Sequence, residues 1–444
     1  MNDIKDITEK VGDFEILTDT AVIPFEGTVI DDGTKIIVSG RLEYELSRQL
    51  NFLKQYRIIG VIDGIGVSLM NSYILCSYKS CESGFSVTIK VEASEIIIGR
   101  KIKDDGAITA ATMELPEIYW FFSERQFADI HSFSKENPYM LKYCFPDDFT
   151  VKDDVGTLTI SRALRHSFGR ERVEYVSVPT LSFEFDSPVS LKTAREKIAE
   201  ARNLFLYFAD GYLPFHDIEL SDAETSKEYP PSCCDFKMVF NSEDTYKAVD
   251  EPFFVTSAIV KNDIQTIWDK WGELYSHKFI SALYYEIIRS RSTWVNEFLN
   301  LVQAIDLYEN TYRETEARSL ADAKIAKRKF LPLTFFVKDA ILQLNGALKI
   351  GADSIDEISE NINQARNYFT HYNDAEYREP SFPEIFAMSR VLRLILLGLI
   401  YKQLGIPDEA IEDAKKSRVY SVFDRDISVI LRKEVENVDY TDYL

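Results

Sequence analysis

The sequence predicts an α+β protein, with a β-rich N-terminal domain followed by an all-α helical bundle. Two observations carry this. Short β-branched runs separated by Gly and Asp clusters fill residues 1 to about 185, whereas helical apolar periodicity dominates from about 259 onward. The length, 444 residues, adds a third: it exceeds one ordinary domain and allows two or three cores. The expected division is a β-rich domain over residues 1–260 and a helical domain over 261–444.

In chain order, Val29-Ile30, Asp31-Asp32-Gly33 and Lys35-Ile36-Ile37-Val38 predict a hairpin with an Asp-Gly turn. Strand-like runs follow at Ile58–Ile62, Val67–Leu75, Phe85–Val91, Glu95–Gly99, Leu158–Ile160 and Val173–Phe185, the pattern of a sandwich or barrel-like sheet. Gly60, Gly64 and Gly66 lack the spacing of a dinucleotide loop and read as turn glycines. Ser187-Pro188 introduces a helix near 188–208, with Leu191, Ala194, Ile198, Ala201, Leu204 and Leu206 on one face. Residues 209–258 read as an irregular connection with room for another hairpin.

Farther on, Phe279 to Tyr312 carries one long apolar periodicity. Leu320 to Ile350 carries another, with Pro332 as a start or kink. Ser354-Ile355-Asp356-Glu357 has the form of a capping box, and Ile355, Ile358, Ile362, Ala365 and Phe369 follow as a core-facing stripe. Pro383 to Leu404 reads as a buried helix stopped by Gly405-Ile406-Pro407, with a polar tail beyond.

Composition narrows the function classes. The N-terminus lacks a signal-peptide core, and the longest apolar run, Leu394–Ile400, is too short to span a bilayer. A soluble cytoplasmic protein without membrane contact is expected. Five cysteines, Cys76, Cys81, Cys144, Cys233 and Cys234, form neither a Cys-x-x-Cys pair nor a Cys/His cluster, so no disulfide framework, zinc site or other cofactor is expected. The net charge of −21 argues against broad nucleic-acid binding. It is uneven, since residues 271–444 hold only about −5 of it. Arg313, Arg318, Lys324, Lys327, Arg328 and Lys329 form a basic cluster there, compatible with a selective RNA site and with an ordinary solvated helix face.

The strongest chemical signal is Arg366-Asn367-Tyr368-Phe369-Thr370-His371. Arginine offers a permanently charged fork for phosphate oxygens, and histidine moves protons near neutral pH. Spacing alone is weak: five histidines and roughly 23 arginines would give about 0.8 such matches by chance. Arg125 and His131 form a second match without a comparable helix around them. Arg366, one step past Ala365, lies beside the core stripe, and Asn367 supplies an amide that can orient a phosphate or the histidine. A surface arginine and a histidine favoured by the helix C-terminal dipole would give the same pattern, and the residues alone leave that reading open.

The region of roughly 275–405 resembles the HEPN family, all-helical domains with an Arg-x(4–6)-His motif in which a polar residue, often Asn, follows the Arg. Phe298-Leu299-Asn300-Leu301-Val302-Gln303-Ala304-Ile305-Asp306 is similar to the earlier HEPN helix, whose acidic residue would be Asp306. A β-rich half before such a domain resembles the ApeA-type anti-phage proteins. Ile58-Ile59-Gly60-Val61-Ile62-Asp63-Gly64 with Val67-Ser68-Leu69 is similar to that family's N-terminal domain. One departure is that some HEPN toxins carry Tyr two residues after the His, whereas Tyr372 is adjacent here and Asn373 holds that position.

The resemblance implies a metal-independent endoribonuclease acting in abortive anti-phage defence. Arg366 would bind phosphate, His371 would do acid/base work, Asn367 would position it, and Asp306 would orient Arg366 or Asn367. Lys324, Lys327, Arg328 and Lys329 are the candidate RNA contacts. A homodimer would complete the site, and the N-terminal half would sense a phage-derived trigger. The alternative is a HEPN-like domain that only dimerises, senses or holds nucleotide. A nucleotidyltransferase is disfavoured, because no Gly-Ser followed by paired acidic residues stands out in the strand-rich half.

Overall fold

A computed structural model describes residues 4–31, 36–51, 53–81, 84–93, 95–102, 107–122, 127–128, 142–143, 147–168, 173–222, 236–240, 253–276, 283–284, 287–288, 293–371 and 377–433. The chain forms two compact units. The first comprises residues 1–119, 124–203 and 213–248, and the second residues 120–123, 204–212 and 249–444.

In the first unit, six antiparallel strands close on themselves: β1 (Val11–Leu17), β2 (Val22–Asp31), β3 (Ile36–Leu42), β4 (Tyr56–Ile62), β5 (Ile65–Cys81) and β6 (Gly84–Glu92). Around the barrel the order is β1-β2-β3-β6-β5-β4, and β4 returns to β1. The expected hairpin is present as β2 and β3, which pair from Asp31 opposite Ile36; its Asp-Gly turn lies outside the described residues. Closure removes the exposed edges that an open six-stranded sheet would present. A one-turn helix, α1 (Tyr44–Ser47), lies between β3 and β4.

The other strands are β7 (Glu95–Ile98), β8 (Ile108–Glu114), β9 (Phe127–Ala128), β10 (Lys142–Tyr143), β11 (Phe149–Lys152), β12 (Gly156–Phe168), β13 (Val173–Val189), β14 (Ile218–Asp222) and β15 (Phe236–Phe240). All but β9 and β10, which pair with each other, extend from the barrel in the order β7-β15-β14-β8-β13-β12-β11. The long strand β5 joins the two parts, because Val67–Met70 pairs with β7 and Tyr73–Cys81 with β6. Between these stretches Asn71 adopts a left-handed φ of 51°, a conformation Asn tolerates better than most residues, and the strand changes partner there.

Barrel packing explains glycines that look alike in sequence. Asp63 (φ 50°) and Gly64 (φ 82°) form the two-residue turn between β4 and β5, as a primed hairpin turn requires. Gly60 is instead mid-strand. It sits opposite Phe14, whose ring stacks on Phe25 at 5.3 Å, and a Cβ at position 60 would strike that ring and lie 2.8 Å from the Asp13 carbonyl. Gly66 likewise lies within β5, against the backbone of Arg100, so of the three only Gly64 is a turn residue.

The helix expected near 188–208 is α2 (Leu191–Ala209). Strand β13 continues through Pro188 to Val189, and the helix starts only after Ser190, whose Oγ accepts the Thr193 N–H at 3.1 Å. The connection beyond it contains the hairpin β14–β15. Cys233 and Cys234 lie outside the described residues.

The second unit is helical: α3 (Ser257–Val260), α4 (Ile264–Ser276), α5 (Trp294–Tyr312), α6 (Glu314–Ser319), α7 (Leu333–Leu348), α8 (Ala352–His371), α9 (Phe382–Leu404), α10 (Asp408–Lys416) and α11 (Phe423–Ile430). The periodic stretch 279–312 is not one helix, because Thr293 is extended (ψ 149°) and α5 begins after it. Pro332 marks a start, standing immediately before α7. The segment after Gly405 is no polar tail: α10 and α11 bury Ile411, Phe423 and Ile430. Their apolar spacing is short, three to four residues per helix, and charged residues mask it in sequence.

Helix α9 is the axis of this unit, with Leu394 to Leu397 and Leu399 to Tyr401 fully buried. A buried polar knot holds it to the segment after α2. Asp210 accepts the hydroxyls of Tyr284, at 2.5 Å, and Tyr420, while Arg393 donates to its side chain at 3.0 Å and to its carbonyl at 2.8 Å. The buried aspartate is thereby matched by one cation and two hydroxyls, as a charge away from water requires.

Candidate functional site

The motif helix α8 is amphipathic. Ile355, Ile358, Ile362 and Ala365 are buried as the stripe predicts. At the next turn Tyr368 is buried, and Phe369, half-buried, sets its ring at 6.3 Å from Phe298 on α5. Ser354-Ile355-Asp356-Glu357 is not the cap. The helix already begins at Ala352, and the Ser354 N–H bonds the Gly351 carbonyl at 2.9 Å. The box form occurs at α9, where Glu384 Oε2 accepts both the Ser381 N–H and its hydroxyl at 2.8 Å.

Arg366 and Asn367 are half-buried and His371 is exposed at the last residue of α8. Arg366 Nη1 donates to Asn367 Oδ1 at 3.0 Å. Asn367 precedes His371 by four residues, so the two share a helix face one turn apart. Arg366 and His371, five residues apart, diverge by about 140° around the axis and about 7.5 Å along it. Asn367 thus bonds Arg366 and shares its side of the helix with His371. Tyr372 and Asn373 lie outside the described residues, as do Arg125 and His131.

Asp306 is half-buried on α5 and faces the same place. Burial pushes its carboxyl up, while the nearby Arg366 guanidinium and the Asn310 side chain, which donates to Oδ1 at 3.0 Å, pull it down. It therefore acts on Arg366 through space, and no ion pair joins them among the described residues.

The basic cluster divides. Arg313 is committed to Asp339 (3.1 Å) and Glu316 (3.3 Å). Arg318 pairs with Glu314 at 2.5 Å and donates to the carbonyls of Ala326 and Arg328 at 3.0 and 2.9 Å. Lys324, Lys327, Arg328 and Lys329 are exposed, in the connection between α6 and α7 and not on a helix face.

A buried acid pair escapes a motif search. Glu309 and Asp339 are buried between α5 and α7, with Gln343 Nε2 donating to both at 3.0 Å. Burial first, and then the neighbouring Asp339, push the Glu309 carboxyl up to about 9. The available signal was an acid set inside the apolar run Phe335-Phe336-Val337-Lys338-Asp339-Ala340-Ile341. Among the described residues no three His, Cys, Asp or Glu gather as a metal ligand set.

Two known families match the chain. The family described as ApeA N-terminal domain 1 matches residues 9–271, and that described as Apea-like HEPN matches residues 299–410. The chain belongs to the ApeA-like HEPN family. The HEPN match of this ApeA-like protein contains Asp306, the basic connection and the whole of Arg366–His371. The N-terminal match contains the fifteen strands of the described residues. No curated protein and no solved structure matches the chain. No helix among the described residues is long and apolar enough to cross a membrane.

Proposed function

We propose that this ApeA-like protein is a metal-independent endoribonuclease of anti-phage defence, cutting RNA at a site that two copies of the chain complete. The observation that carries the reading is the arrangement on α8: Arg366 tied to Asn367, Asn367 one turn below an exposed His371, and Asp306 facing the arginine.

In the proposed reaction a ribose 2′-OH attacks the adjacent phosphorus. Its proton goes to a base, the P–O5′ bond breaks, and an acid protonates the leaving oxygen. The products are a 2′,3′-cyclic phosphate and a 5′-OH. Base and acid stand on opposite sides of the phosphorus, and one chain offers a single motif histidine. A second α8 supplies the other histidine and a second guanidinium. In this reading Arg366 stabilises the phosphorane charge, His371 of each copy transfers protons, Asn367 positions both, and Asp306 orients Arg366. The β-rich unit would restrain the nuclease until a phage-derived trigger acts on it.

The test is cleavage of single-stranded RNA in EDTA by full-length protein, or in cells after induced expression, with the new 5′ and 3′ ends identified. His371→Ala and Arg366→Ala are expected to lower the rate by about 10²-fold or more with the fold retained. Equal cleavage by both variants would refute the reading. RNA left intact in cells by the triggered wild type would favour a HEPN-like domain that only dimerises or binds nucleotide.

A further inference from the structure

The connection between α6 and α7, residues 320–332, is built, not slack. Ala317, Leu331 and Phe336 form a small core beneath it, with Ala321, Ile325 and Phe335 packed alongside. The Arg318 guanidinium gathers the carbonyls of Ala326, Arg328 and Lys329 from above α6. Asp322 Oδ1 accepts the N–H groups of Lys324 and Ile325, both at 2.9 Å. These contacts fix the backbone and leave the outward side chains unspent. Lys324, Lys327, Arg328 and Lys329 are exposed, and among the described residues none of them pairs with a carboxylate.

Phe330 completes the set. It is 75% exposed, second only to Leu53 among the large hydrophobic side chains of the described residues, and Lys329 Nζ stands 5.1 Å from its ring centroid. An apolar ring held in water beside Lys329, in a segment with three further exposed cations, has no role in the core, which Leu331 and Phe336 fill instead. Cations for a phosphate backbone with a ring face for a base are the parts of a single-strand binding platform.

Helix packing relates the end of this platform to the motif helix. Helices α7 and α8 run antiparallel, since Thr334 Oγ1 donates to Glu360 at 3.1 Å and Lys338 pairs with Asp356 one turn further along each. Extending that register sets Pro332, where the connection enters α7, level with about residue 362 of α8, the helix that ends in Arg366–His371.

We propose that residues 324–330 form a single-stranded RNA platform, with Phe330 stacking a base and Lys327, Arg328 and Lys329 holding the adjoining phosphates. The proposal rests on the ribonuclease reading for its partner, and its test does not need cleavage. A basic face could instead dock an acidic polypeptide, but the exposed ring beside the cations matches a nucleobase and not a carboxylate.

The experiment measures binding of a labelled single-stranded 20-nucleotide RNA to full-length His371→Ala protein at several salt concentrations. Duplex RNA and poly-glutamate serve as competitors. In that background Phe330→Ala should weaken binding roughly tenfold without changing its salt dependence, and Phe330→Trp should restore it. Replacing Lys327, Arg328 and Lys329 together by Gln should reduce the slope of log affinity against log salt by about 2. Wild-type affinity in Phe330→Ala and an unchanged slope in the triple variant overturn the proposal, as does displacement by poly-glutamate in preference to RNA, or no binding at all. Phe330→Leu controls for folding, because it keeps the apolar side chain and removes the ring face. Loss of binding in these variants of a chain that never cleaves RNA would sink the nuclease and leave the platform. Cleavage that ignores the same substitutions would do the reverse.

Discussion

At the scale of single residues, the arginines of the helical unit differ in their partners. Arg313, Arg318 and Arg393 are held by carboxylates or carbonyls, whereas the Arg366 side chain hydrogen-bonds the neutral Asn367 and, among the described residues, makes no ion pair. The Glu309–Asp339 pair gives a prediction of its own. Glu309 rises from an ordinary 4.5 to about 9 in the folded protein because it is buried beside another acid. The folded chain then keeps a proton that the unfolded chain has already lost between those values. Stability from this group is therefore complete below about pH 4.5 and is lost as pH climbs through about 9. Melting curves of wild type should fall across that window, and Glu309→Gln, which keeps the bond from Gln343 without a titrating proton, should flatten the fall. Parallel curves would show that Glu309 is not the group concerned.

At the scale of elements, the same residue type serves different ends according to its partners. Gly64 exists for its left-handed turn, but Gly60 exists for the space that Phe14 occupies on the neighbouring strand. Gly60→Ala should therefore destabilise the barrel by about 1–3 kcal/mol, the usual range for overpacking. Gly64→Ala meets open space and should cost less, about 1 kcal/mol, through its backbone alone. Denaturant midpoints of the two variants separate these causes, and equal losses would contradict the packing account. Helix ends obey similar logic. Ser354 and Ser381 both begin a Ser-x-x-Glu sequence, and only Ser381 caps, because Ala352 and Asp353 already continue α8 upstream of Ser354.

For the whole molecule, the proposed chemistry requires two chains. Arg366 and His371 point away from each other on one helix by about 140°, so a single copy presents a cation and a proton carrier on different faces. Ribonuclease activity per chain should then fall on dilution, in step with dissociation measured by sedimentation. Activity that stays proportional to concentration down to a fully monomeric sample would contradict a shared site. The acidic balance of the chain, −21 overall, is compatible with this scheme: if the proposal holds, repulsion of RNA elsewhere would leave the cation-rich connection before α7 as a selective entry.

The sequence by itself determined the order of strands then helices, the amphipathic helix under Arg366–His371, and the family those residues resemble. Each rests on local periodicity or on adjacent residues, which a linear chain displays directly. The barrel's closure depended on tertiary structure, because β1 meets β4 and β3 meets β6 across long separations that no local pattern encodes. So did the break at Thr293, and the helices α10 and α11, whose few apolar residues gain meaning only when α9 lies against them. The site divides the same way. Arg366, Asn367 and His371 are neighbours in sequence, whereas Asp306 is brought near Arg366 only by the packing of α5 against α8. Distances between side chains on different elements are fixed by packing, and packing is a property of the folded chain as a whole.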